Sequence, residues 1–136
     1  MLPLTLESFR LFLHITAAAV WVGGQLTLLG LLPTVRRLGP EATTAVARTF
    51  ARVAWTAFAV LVVTGVWNVL AVEPGDRSTA WNATLGLKLL LVAATGAGAA
   101  IHSLSGRRPI IAAAGAVGLV TGLAAVWVGV VLTGGA

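Results

Sequence analysis

Four long apolar runs, separated by short charged segments, constrain the fold of this chain more than any other feature of its sequence. The first run, residues 11–35, contains no Asp, Glu, Lys or Arg. A helix needs roughly 20 apolar residues to cross a bilayer, and each run is long enough. We predict membrane spans at residues 11–32, 50–72, 81–104 and 110–132. Because short loops join antiparallel neighbours, we expect an all-α, up-down transmembrane four-helix bundle forming a single domain, 1–136.

The composition excludes several classes of protein. Charged residues make up 10% of the chain, against about 25% in soluble domains, and 58% of the residues are hydrophobic. We therefore expect an integral membrane protein in a lipid bilayer. The net charge of +5 does not indicate a nucleic-acid partner, because the bases lie in short segments between apolar runs. The absence of cysteine excludes disulfides and thiolate metal sites.

Turn residues and charges predict the limits and the orientation of the helices. Ser8 is the expected N-cap of the first helix, which should end before Pro33. Gly39 and Pro40 interrupt the predicted segment 34–49. The first and third loops are rich in arginine, so the positive-inside rule places them in the cytoplasm and both termini on the outer side.

A polar face on the first predicted helix is the strongest candidate for a functional site. His14, Ala18, Trp21 and Gln25 recur with spacings of 4, 3 and 4, so they share one side of a helix. Ionisable residues within a membrane span are usually functional. His14 is therefore a candidate metal ligand or proton carrier, although a hydrogen bond to a neighbouring helix would also explain it.

Two further ionisable residues are weaker candidates. Lys88 lies about two turns into the third span, at the predicted depth of His14. It could belong to the same site, or its long stem could carry the amine to the headgroups. His102 lies about 20 Å deeper than Lys88, so we expect it at the interface and rank it behind His14 as a metal ligand.

Other polar and small residues have structural explanations as well as functional ones. Trp21, Gly23 and Gly24 could shape a pocket wall or simply pack. We expect Gln25, Thr64 and Asn68 to make hydrogen bonds between helices. Gly118 and Gly122 form a small-xxx-small pair, which predicts a homodimer or a membrane-complex partner docked on the fourth helix.

The sequence resembles the CopD-like membrane proteins, the copper resistance D domain. The similarity lies in His14-x6-Trp21-x-Gly23-Gly24, in Phe50-Ala51-Arg52-Val53-Ala54 with Leu61-Val62-Val63-Thr64-Gly65, and in Gly86-Leu87-Lys88-Leu89-Leu90-Leu91. It covers the first three helices. A related four-helix family, HemJ, is a protoporphyrinogen oxidase that binds haem b, and its first-helix histidine and third-helix lysine would correspond to His14 and Lys88.

The resemblance implies a multi-pass protein of the bacterial plasma membrane that handles a metal. It favours haem b or copper bound between the first and third helices near the outer face, with His14, Lys88, Trp21, Gly23 and Gly24 at the cofactor. A copper import or resistance permease, a protoporphyrinogen oxidase-like enzyme and a structural subunit without chemistry of its own stay open as alternatives.

Overall fold

The computed structural model describes residues 4–134, which are almost entirely helical. Four helices account for them: α1, Leu6–Arg37; α2, Pro40–Ala71; α3, Thr79–Leu104; and α4, Arg108–Gly134. All four are long and apolar enough to cross a membrane, and no strand occurs within residues 4–134. The predicted all-α class with four membrane-length helices is confirmed, and the chain is a multi-pass membrane protein.

The four helices form two compact units. The first contains the chain up to Glu73 and consists of α1 and α2, while the second begins at Pro74 and contains α3 and α4. Each unit is an antiparallel helical hairpin. The expectations of one four-helix domain and of both termini on the outer side stay predictions.

The first helix begins earlier than predicted. Thr5, and not Ser8, is its N-cap, because the Thr5 hydroxyl accepts a hydrogen bond from the Ser8 N–H at 3.1 Å. The Ser8 hydroxyl accepts in return from the Thr5 N–H at 3.0 Å. This reciprocal capping box satisfies two backbone donors that a helix otherwise leaves without partners. Ser8 therefore lies within the first turn of α1.

The turn between α1 and α2 is also shorter than predicted. α1 continues through Pro33 to Arg37, so the expected stop before Pro33 is wrong. Apolar helices tolerate an internal proline when neighbouring groups satisfy the freed carbonyl. The chain turns at Gly39, whose φ of 105° favours glycine, and α2 starts directly at Pro40. Most of the predicted loop 34–49 is therefore helical.

A π-helical turn interrupts α1 at Ala19–Gly23. Such a turn accommodates one extra residue, so it rotates the following helix by roughly 100° relative to the preceding one. Trp21 and Val22, inside this turn, are buried. The simple 4, 3, 4 periodicity from His14 to Gln25 therefore does not persist beyond Trp21.

Small residues bring the two helices of the second hairpin into close contact. A Cβ atom at Gly98 would lie 2.9 Å from both the Ala114 carbonyl oxygen and the Gly118 Cα atom. The buried Thr95 hydroxyl donates a hydrogen bond to the Gly118 carbonyl at 2.6 Å. Gly118 thus packs inside its own hairpin. Docking of a second chain through Gly118 and Gly122 stays a prediction, and Gly118 already has a neighbour within the chain.

Replacing Gly98 with alanine should destabilise the protein, although alanine is intrinsically the better helix former. The new methyl group would meet backbone atoms of α4 that cannot rotate away, so we expect a loss of about 1–3 kcal/mol in the free energy of unfolding. Gly86→Ala is the matched control, because a Cβ atom there meets no atom within 4 Å. Thermal unfolding in detergent should rank Gly98→Ala below wild type and Gly86→Ala at or above it. Equal stability of the two variants would contradict the close packing.

Candidate functional site

A hydrogen bond between His14 and Thr64 joins the two helices of the first hairpin. His14 Nδ1 lies 2.9 Å from the Thr64 hydroxyl oxygen. Thr64 is 3% exposed, and His14 is half-buried. The predicted role of Thr64 in a hydrogen bond between helices is confirmed, and His14 is its partner.

The same contact fixes the protonation of the His14 ring. The Thr64 hydroxyl lies 2.7 Å from the Val60 carbonyl, which can only accept, so the single hydroxyl proton is used there. Towards His14 the hydroxyl must then act as the acceptor, and Nδ1 must carry a proton. In the neutral ring the lone pair therefore lies on Nε2. A histidine that ligates a metal commonly donates its other ring N–H in this way.

A glycine lies beside the imidazole. A Cβ atom at Gly65 would lie 3.4 Å from the Cε1 atom of His14, which is ordinary van der Waals contact. Gly65 follows Thr64 directly in α2. The Thr64-Gly65 pair thus supplies the hydrogen-bond acceptor and a packing surface for the ring of His14.

Aromatic rings fill the hairpin beyond His14. Trp21 is 2% exposed, and its ring centroid lies 4.5 Å from that of Phe58 and 5.5 Å from that of Trp55. Gly24 faces Phe50, because a Cβ atom there would lie 2.9 Å from the ring. No neighbouring atom would contact a Cβ atom at Gly23 within 4 Å. Packing explains the positions of Trp21 and Gly24. The role predicted for Trp21, Gly23 and Gly24 in a cofactor pocket stays a prediction.

Two expected hydrogen bonds between helices are not formed. The Gln25 amide donates to the Trp21 carbonyl of its own helix at 3.0 Å, next to the π-helical turn. The Oδ1 atom of Asn68 is buried and accepts no hydrogen bond from residues 4–134. Gln25 therefore helps to complete α1, whereas Asn68 retains an unused acceptor.

Sequence reasoning missed a buried arginine in the first hairpin. Arg10 is 8% exposed, and its Nε atom is buried without a hydrogen-bond partner. Arg10 precedes His14 by four residues, so the two side chains share one face of α1. That spacing is the sequence signal that points to Arg10. A position immediately before an apolar run is, by itself, also typical of an ordinary interfacial charge.

The other two ionisable candidates lie in the second hairpin. The Lys88 side chain extends to α4, where a Cβ atom at Gly129 would lie 3.3 Å from the Nζ atom. His102 is exposed in the last turn of α3, and its Nδ1 donates to the Ile111 carbonyl at 2.8 Å. His102 therefore links the two helices near their loop, and its expected place at the membrane interface stays a prediction. A site shared by His14 and Lys88 stays a prediction.

Comparisons with other proteins assign no family. No protein-family model matches the chain, no curated protein is similar enough to match, and no solved structure matches. Within residues 4–134, no three His, Asp or Glu side chains lie close enough together to hold a metal ion jointly. The CopD-like resemblance stays a prediction based on the quoted motifs.

The Thr64 hydroxyl should determine the tautomer of His14. In Thr64→Val the ring loses its acceptor, so we expect a mixture of Nδ1–H and Nε2–H forms in place of Nδ1–H alone, and a loss of about 1 kcal/mol in stability. Nitrogen-15 NMR of histidine-labelled protein measures the tautomer. Thr56→Val is the matched control, because the exposed Thr56 hydroxyl bonds only to the Arg52 carbonyl of α2. An unchanged tautomer in Thr64→Val would contradict the assignment.

Proposed function

We propose that the chain is a CopD-like protein of a bacterial plasma membrane that handles a metal centre with His14 as a ligand. Haem b is the first candidate for that centre. The observation that carries the proposal is the hydrogen bond from His14 Nδ1 to Thr64 at 2.9 Å. It leaves the lone pair of the neutral imidazole on Nε2, and an imidazole with this tautomer would be suited to binding iron.

The small number of ligands that the protein can supply favours haem over a copper ion. A haem iron needs one or two ligands from protein, since the porphyrin supplies four nitrogens. Copper bound by protein alone needs several nitrogen or sulfur donors. The chain has two histidines, one in each hairpin, and no cysteine. Copper handling by His14, as in an import or resistance permease, is the second candidate and would need a second copy of the chain to complete the site.

The residues around His14 are compatible with such a group. Thr64 orients the ring, Gly65 lies beside it, and the aromatic cluster of Trp21, Trp55 and Phe58 lies about two turns further along the same hairpin. A bound haem would supply one-electron redox chemistry.

Cofactor analysis of the purified protein tests the proposal. We expect wild-type protein in detergent to bind haemin with a Soret band that shifts on binding and to give a positive pyridine haemochrome assay. His14→Ala should lose this binding, because no other imidazole takes its place in the first hairpin. His102→Ala is the matched control and should retain it, since His102 closes the loop end of the second hairpin.

Other results would assign a different role. Binding of copper, and not of haemin, that depends on His14 would favour the permease. If neither group binds, or if His14→Ala binds as wild type does, the metal-handling proposal is wrong. The chain would then be explained better as a subunit that only packs with other membrane proteins.

A further inference from the structure

Arg10 is a buried cation without a counter-charge. Its side chain is 8% exposed, and no hydrogen bond or ion pair links it to another group within residues 4–134. Glu7 lies one turn away on the same helix but does not pair with it. A buried charge without a partner costs several kcal/mol, so such a residue is rarely retained without an anion to bind.

Asn68 lies at the same level of the hairpin as Arg10. The bond between His14 and Thr64 sets the register of the antiparallel helices. Arg10 lies one turn before His14, and Asn68 lies one turn after Thr64, so the two face the same height. The buried Oδ1 atom of Asn68 is also without a partner. Two unsatisfied polar groups, one on each helix, therefore coincide at one end of the hairpin.

The position of Arg10 along α1 indicates the environment of the missing partner. Residues 11–35 carry no charge, so Arg10 marks the boundary between the hydrocarbon core and the headgroup region. An anion at this level belongs to a molecule whose apolar part extends into the bilayer or along the hairpin.

We propose that Arg10, assisted by Asn68, binds the oxyanion of an amphiphilic ligand. The planar guanidinium suits a carboxylate or a phosphate, because it offers parallel N–H donors to two oxygens. The Asn68 amide can accept from the guanidinium and donate to the same oxyanion. Asn68 alone could satisfy an N–H group of Arg10, but as a neutral partner it leaves the charge uncompensated.

Two sources can provide this oxyanion. One is a propionate of the haem proposed for His14, which lies four residues and thus about 6 Å along the axis from Arg10. This version rests on the proposed function. The other is the phosphate of a membrane lipid, which does not depend on haem. Both predict that the binding depends on Arg10 and on the charge of the ligand.

Binding of haemin and of its dimethyl ester tests the first source. We expect wild-type protein to bind haemin about tenfold or more tightly than the ester, which has no free carboxylate. Arg10→Gln and, to a smaller extent, Asn68→Leu should remove this preference while retaining the Soret band of a complex that depends on His14. Arg52→Gln is the matched control, because Arg52 is exposed on α2 of the same hairpin.

Retention of phosphatidylglycerol through native mass spectrometry tests the second source. Lipid bound to wild type and to Arg52→Gln, but lost from Arg10→Gln or Asn68→Leu, would support the oxyanion site even if haemin failed to bind and the haem proposal were wrong. The inference is overturned if wild type shows neither a preference for haemin over its ester nor retained phospholipid. It is equally overturned if folded Arg10→Gln or Asn68→Leu protein keeps both properties unchanged. The comparison of haemin with its ester and the measurement of retained phospholipid are both made on wild type, so they do not depend on the folding of any variant.

Discussion

The hydrogen bond between His14 and Thr64 is the interaction on which the first hairpin and its proposed chemistry depend. His14 Nδ1 and the Thr64 hydroxyl oxygen lie 2.9 Å apart, so the bond aligns α1 with α2. It also fixes the ring tautomer and leaves the lone pair on Nε2. In an apolar environment an imidazole without a partner would be costly, so the acceptor on α2 also explains how the histidine is tolerated. The same contact therefore serves both stability and the choice of ring tautomer.

The first hairpin changes in character along its length. The hydrogen-bonded pair of His14 with Thr64 and the unsatisfied polar atoms of Arg10 and Asn68 lie at the end nearer the start of α1, and the ring cluster around Trp21 lies deeper. Such a gradient matches an amphiphilic molecule, with charged groups at the interface and a flat or apolar body inside. The second hairpin is held by close glycine contacts.

Sequence patterns predicted the helices well and their details less well. Long apolar runs are a strong signal, so all four membrane-length helices and the importance of His14 in packing between helices could be foreseen. The continuation through Pro33 and the capping by Thr5 depend on local hydrogen bonds that composition does not specify. The π-helical turn at Ala19–Gly23 has no periodic signature, and it changed the partner of Gln25. Arg10 was missed because burial depends on tertiary packing, which its place at the edge of a run conceals.

Coordination of a metal by Nε2 of His14 is tested most directly by pulsed electron–nuclear double-resonance spectroscopy. The protein is labelled with nitrogen-15 histidine and loaded with ferric haem or copper(II). We expect one directly coordinated imidazole nitrogen, assigned to Nε2 of His14, and a remote Nδ1 that carries a proton protected from exchange. Both signals should disappear in His14→Ala and persist in His102→Ala. A metal centre without imidazole coordination, or one coordinated by His102 alone, would contradict ligation by His14.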